Sequence, residues 1–138
     1  MSSELPKYKY KTVMLVDDND IDNFVNRKTL EHVHFAEHII AFISPASALE
    51  FIASTKTDNT EAMAHLPQII FLDLNMPLVT GFEFVTEFEK INTAITKNIR
   101  IVMLTSSLNH SDRDQSLATK SVSHFISKPL ERKHLAEL

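Results

Sequence analysis

Three aspartates, one hydroxyl and one lysine each close an apolar run. "VMLVDDN" ends on Asp17 and Asp18, and "IIFLD" ends on Asp73. In "VMLTSS" the apolar run gives way to Thr105 and Ser106, and "FISKPL" carries Lys128 before Pro129. Brought to one place, the three acids repel: two charges about 4 Å apart cost roughly 4 kcal/mol at an effective dielectric near 20. Such a cluster needs a cation or raised pKa values. Oxygen donors without neighbouring His or Cys suit a hard ion, and Mg²⁺, which keeps several waters, is the natural choice. Open coordination positions on that ion suit a phosphate oxygen. Lys128 adds a point positive charge and Thr105 a hydroxyl. Backbone N–H groups after Asp73 and Thr105, at Asn75, Met76 and Ser106, add further donors. One carboxylate is then a nucleophile, with metal and lysine stabilising the oxygens of an in-line transfer.

That chemistry requires a scaffold that gathers strand ends. Short apolar runs occur at 12–16, 38–43, 68–72, 99–104 and 122–126, and their near-continuous character predicts strands buried on both faces. Helical stretches alternate with them. The first is expected to start at Asn19 or Asp20 with Ile21, Phe24 and Val25 inward. The second has Ser44 as N-cap and Pro45 at the first helical position, followed by Ala48, Leu49 and Ile52. Thr80 and Glu83 have capping-box spacing, and Phe84, Val85, Phe88 and Ile91 form the third inward stripe. The fourth, about 111–120, is polar and buries little beyond Leu117 and Ala118. The last runs from Glu131 for about two turns, with Leu135 and Leu138 on one side. "TKTDNTEAMAH" (55–65) reads as a polar loop. The alternation predicts an α/β domain with a doubly wound, five-stranded parallel sheet and helices on both faces. Ligands of such sheets bind beyond the carboxyl ends of the strands.

The pattern "DD" after strand one, "FLDLNMPLVTG" after strand three, "LTS" after strand four and "SKP" after strand five resembles the CheY-like receiver domain of two-component response regulators. The likeness covers nearly the whole chain, with 1–11 as an N-terminal extension and 12–138 as the domain. It implies the flavodoxin-like strand order 2-1-3-4-5. It also implies that Asp73 is the phosphoacceptor, that Asp17 and Asp18 bind Mg²⁺ with Asp73, and that Asn75 lends the metal a backbone carbonyl. Thr105 then turns toward the phosphoryl group, Lys128 pairs with it, and Phe125 is the aromatic switch. Lys128–Pro129 is expected to be cis. The implied donor is a phosphohistidine on a histidine kinase or phosphotransfer protein. The implied output is a protein target on the face of the fourth helix, fifth strand and last helix, with a phosphorylation-dependent homodimer as one form of output. Asn75 and Ser107 occupy positions that tune the lifetime of the phosphorylated state. Two positions depart from the pattern: Thr80 stands where an aspartate is usual, and Ser121 where a glycine is usual, so that turn is expected to be less tight.

Each residue also has a plainer reading. Asp17 or Asp18 alone serves equally well as a helix N-cap. Lys128 alone is a solvated lysine, Thr105 a strand residue and Phe125 a core aromatic. Seven histidines show no zinc-ligand spacing: His32 and His34 point to different sides of a helix, and His124 is read as solvated.

Composition narrows the alternatives. A chain of 138 residues suits one domain with its own core. A net charge of −4, with only "KYKYK" as a mild basic run, argues against nucleic acid as the partner. No cysteine rules out disulfides and thiol chemistry. No apolar run reaches a membrane span, and the N-terminus lacks a signal-peptide core, so the cytoplasm is the expected compartment. One glycine cannot build a Walker or dinucleotide loop. A haloacid-dehalogenase-like phosphatase also uses an aspartyl nucleophile and Mg²⁺, but expects an acid where Asn75 stands. A receiver-like interaction module that is never phosphorylated has no need to keep Asp73, Thr105, Lys128 and the acidic pair. The expectation is a stand-alone signalling receiver, a phosphoacceptor and not an enzyme, or a receiver module of a larger regulator.

Overall fold

A computed structural model describes residues 7–106 and 110–138. Five strands, β1 (Tyr10–Val16), β2 (Ala36–Phe42), β3 (Ile69–Asp73), β4 (Arg100–Thr105) and β5 (Val122–Ser127), form one sheet in the order β2-β1-β3-β4-β5. Every pairing is parallel. The helices are α1 (Asp20–His32), α2 (Pro45–Ala53), α3 (Thr60–Ala64), α4 (Gly81–Glu89), α5 (Thr93–Thr96), α6 (His110–Ala118) and α7 (Arg132–Leu135). The expected fold class and strand order are therefore present.

Strand pleating splits the core into two layers. Val13 and Leu15 of β1 point one way, with Ile69, Phe71, Val102 and Leu104, against Leu30 of α1 and Leu135 of α7. Met14 and Val16 point the other way, with Ile70, Leu72, Ile101 and Met103, against Ile52 of α2 and Phe84 and Phe88 of α4. Both faces are covered, which is why 13–16, 69–72 and 101–104 are apolar without a break. Each fully buried aliphatic side chain contributes about 1.5–3 kcal/mol relative to exposure.

Local signals set most helix starts. Ser44 accepts from Ser47 N, and Pro45 opens α2. Thr80 and Glu83 form the reciprocal capping box of α4. Asn19, not Asp17 or Asp18, caps α1, accepting from the N–H groups of Ile21 and Asp22. The N-cap reading of the acidic pair therefore falls, and both acids remain available to the strand edge.

The inward face of α1 is corrected. Ile21, Phe24 and Val25 are exposed, at 72%, 60% and 44%. Asn23, Asn26 and Leu30 are buried instead. Asn23 Nδ2 donates to the carbonyls of Asp17 and Phe42, at 3.0 and 3.3 Å. These bonds tie the helix to the ends of β1 and β2, and tertiary anchoring overrides the apolar stripe. Other differences are smaller. The 55–65 segment contains α3, capped by Asn59 on Ala62 N at 3.0 Å, and α5 is a further short helix. β1 starts two residues before Thr12, and β2 spans Ala36–Phe42, leaving Ile43 outside it. Ala118 is exposed, and the side chain of Leu117 lies outside the described residues, as does Ser107. α7 is a four-residue helix, shorter than two turns, although Leu135 and Leu138 are both buried as expected. Among the described residues, no helix is long and apolar enough to cross a membrane.

Candidate functional site at the carboxyl edge of the sheet

Parallel pairing brings every strand's carboxyl end to one edge. Asp73 is the last residue of β3 and Thr105 the last of β4; Asp17 and Asp18 follow β1, and Lys128 follows β5. Backbone bonds extend the ladder past the strands: Asp17 N to Phe42 O at 3.1 Å, Leu74 N to Leu104 O at 2.8 Å, and Lys128 N to Thr105 O at 2.8 Å. The functional side chains therefore leave a rigid frame and not free loops. The Lys128–Pro129 peptide bond is cis, as expected.

The acids converge. One carboxylate oxygen each from Asp17, Asp18 and Asp73 lie within 4.8 Å of one another. Asp17 and Asp73 are buried, and Asp18 is exposed. In an octahedron with bonds of 2.0–2.1 Å, ligand oxygens lie about 3 to 4.2 Å apart. The trio therefore fits a hard divalent ion with little movement, and the exposed flank leaves room for its waters.

Lys128 is the positive centre. Its ammonium donates to Asp17 Oδ2 at 2.8 Å and to Asp22 Oδ2 at 3.0 Å, and lies 3.2 Å from Asp73 Oδ1. The reading of Lys128 as a solvated surface lysine is excluded. Burial disfavours its charge, but the hydrogen bonds to Asp17 and Asp22 outweigh burial and hold its pKa above the ordinary lysine value. Burial also lifts the Asp17 carboxyl above its ordinary value. Bonds from Lys128 and from Asn19 N oppose that rise, while the charge of Asp73 adds to it. The two shifts have different causes: burial raises Asp17, and hydrogen bonds to carboxylates raise Lys128.

The remaining predicted residues divide. Thr105 is fully buried, and its hydroxyl accepts from Asn75 Nδ2 at 2.9 Å. Asn75 N approaches Asp73 Oδ1 at 3.3 Å. Met76 lies beside the site in sequence, but its side chain is buried in the core layer, so only its backbone could serve a ligand there. Ser106 is exposed at the end of β4. Phe125 is half-buried, packed against the same core layer, in register with Met103. His124 is half-buried on the edge strand. Two contacts were not legible beforehand: Asp22 on Lys128, and the Asn75 side chain on Thr105. For Asp22 the available signal was its place in the first turn of a helix that starts beside the acidic pair.

The response regulator receiver domain model matches residues 13–138. The chain belongs to that family. Receiver domains are signalling domains, not enzymes in the ordinary sense, and they generally bind Mg²⁺ at an acidic pocket such as this aspartate trio. This receiver is similar to a two-component response regulator from Cytophaga hutchinsonii, at 30% identity and a TM-score of 0.80, over 94% of this chain and 93% of that one. It is similar to a response regulator receiver protein from Dyadobacter fermentans, at 29% identity and a TM-score of 0.79, over 92% and 93%. Among curated proteins it is 25% identical over 123 residues to the sensor histidine kinase CheAY of Helicobacter pylori. The match takes in 89% of this receiver but 14% of that kinase. Of the two departures, Thr80 keeps the capping function at the start of α4. Near Ser121, whose carbonyl accepts from Ile101 N at 3.0 Å, the β4–β5 register shifts between Ile101 and Val102.

Proposed function

We propose that this receiver accepts a phosphoryl group on Asp73 from the phosphohistidine of a histidine kinase or phosphotransfer protein. A carboxylate oxygen of Asp73 attacks phosphorus. The P–N bond breaks as the P–O bond forms, and the electron pair leaves with the imidazole, which takes up a proton. The observation that carries this reading is the meeting of Asp73 with Asp17, Asp18 and Lys128 at one sheet edge. A lone buried carboxylate is a poor nucleophile toward an anionic phosphoryl group, and an adjacent ammonium lowers that repulsion.

The carboxylates of Asp17, Asp18 and Asp73 and the backbone carbonyl of Asn75 would hold Mg²⁺, which supplies charge neutralisation for the phosphoryl oxygens when bound. Lys128 pairs with the phosphoryl group, and the N–H groups of Asn75, Met76 and Ser106 add donors. Thr105 exchanges its bond from Asn75 for one to a phosphoryl oxygen. Phe125, half-buried at rest, moves into the space released. The surface of α6, β5 and α7 then reads out the change to a protein target or a second copy of the chain, as a population shift between two arrangements. This reading carries the cytoplasm with it as the compartment.

Intact mass after incubation with acetyl phosphate and Mg²⁺ tests the assignment. One phosphoryl adduct is expected, absent from Asp73→Asn and absent with chelator. An adduct that survives Asp73→Asn refutes the site, and sustained turnover of unrelated phosphoesters refutes the signalling role.

A further inference from the structure

Lys128 is held among three acids at rest. An ammonium has three N–H donors; two are spent on Asp17 and Asp22, at 2.8 and 3.0 Å, and a carboxylate oxygen of Asp73 lies 3.2 Å away as an ion-pair contact. Two of those partners are held in the core edge, with side chains 4% and 6% exposed. The third, Asp22, is 40% exposed and stands outside the acid trio, in the first turn of α1. Asn19 Oδ1 accepts from Asp22 N at 3.2 Å and fixes that turn.

A phosphoryl oxygen arriving at Asp73 draws the Lys128 ammonium toward itself, so the hydrogen bond to an existing partner must loosen. Release of Asp17 or Asp73 would strand a buried carboxylate. Release of Asp22 returns an accessible carboxylate to water, which costs little. We propose that Asp22 is a positioning residue: a resting-state counter-ion that engages the Lys128 ammonium and competes with the phosphoryl group for it. This inference rests on the phosphoacceptor reading and adds a residue outside its motif. Asp22 therefore lowers the occupancy of the phosphorylated arrangement without touching the phosphoryl group.

The affinity for beryllofluoride, a phosphoryl mimic, at saturating Mg²⁺ tests this by fluorine NMR and calorimetry. Ala is a good helix former, so Asp22→Ala preserves α1. It is expected to bind the mimic about two- to fivefold more tightly than wild type, the range for loss of one accessible ion pair. Asp22→Asn, which keeps an acceptor without the charge, is expected in between. Asp20→Ala is the control, since it removes the same charge from the same helical turn, and Asp20 makes no ion pair with Lys128 among the described residues. Unchanged or weaker binding by Asp22→Ala overturns the competition, and so does equal tightening by Asp20→Ala, which marks a general field effect. A wild type that takes up no beryllofluoride overturns the phosphoacceptor reading itself, and this inference with it.

Discussion

The side-chain amide of Asn75 donates to the hydroxyl of Thr105 across 2.9 Å, joining the loop after β3 to the end of β4. Thr105 is fully buried, so its hydroxyl oxygen depends on protein partners. Removing Asn75's amide takes away a bond with a net worth of about 0.5–1.5 kcal/mol. Asn75→Ala is expected to lower Tm by a few degrees in a domain of this size. Its affinity for Mg²⁺ is expected to stay within twofold, because the proposed metal contact of Asn75 is through its backbone. Thermal denaturation and Mg²⁺ titration of the same variant separate the two roles; a large loss of Mg²⁺ affinity contradicts the assignment.

Gly81, the chain's single glycine, is required by a close approach. Its N–H donates to Leu74 O at 2.9 Å. A Cβ there would lie 2.8 Å from Met103 Sδ, 2.9 Å from Leu74 Cα and 3.1 Å from Asp73 O. The thioether can swing away, but the backbone of Asp73 and Leu74 cannot do so without moving the Asp73 carboxylate. Gly81→Ala is expected to cost about 1–3 kcal/mol, the range for overpacking. Chemical denaturation measures the cost, and the rate of acetyl phosphate labelling should fall as well. A variant as stable and as reactive as wild type would show that the loop yields freely.

Asp17 supplies a pH dependence whose sign follows from burial. Its pKa is raised in the folded protein above the ordinary value near 3.8. Between the two values the folded state binds more protons than the unfolded one, so stability falls as pH rises. The contribution is fully present below about 3.8 and is lost as pH passes through the raised value. In metal-free protein, the Tm of Asp17→Asn relative to wild type is therefore expected to rise between pH 4 and pH 7. Mg²⁺ reverses the comparison at neutral pH: at a hundredfold its Kd it adds about 2.7 kcal/mol to wild type, which chelator removes. The gain should be much smaller in Asp17→Asn. Paired melts across pH, with and without Mg²⁺, check both signs.

Apolar runs of five or six residues, each closed by a polar residue, were enough to predict five parallel strands and the residues at their ends. In β1, β3 and β4 the prediction holds because a run buried on both faces has no polar break, so Asp17, Asp73 and Thr105 stand at its exit; Lys128 follows the edge strand β5, whose Ser123 is exposed. Capping chemistry was equally local: Ser44 with Pro45 and Thr80 with Glu83 act within one helical turn, and their geometry needs nothing from the rest of the chain. The orientation of α1 was not local. Ile21, Phe24 and Val25 form an apolar stripe, yet Asn23's bonds to Asp17 and Phe42 turn that stripe to solvent. The same rotation carries Asp22 onto Lys128, 106 residues away. Sequence determined which chemical groups reach the sheet edge. Tertiary structure alone decided how Lys128 distributes its contacts among Asp17, Asp22 and Asp73, because that depends on distances between separate elements.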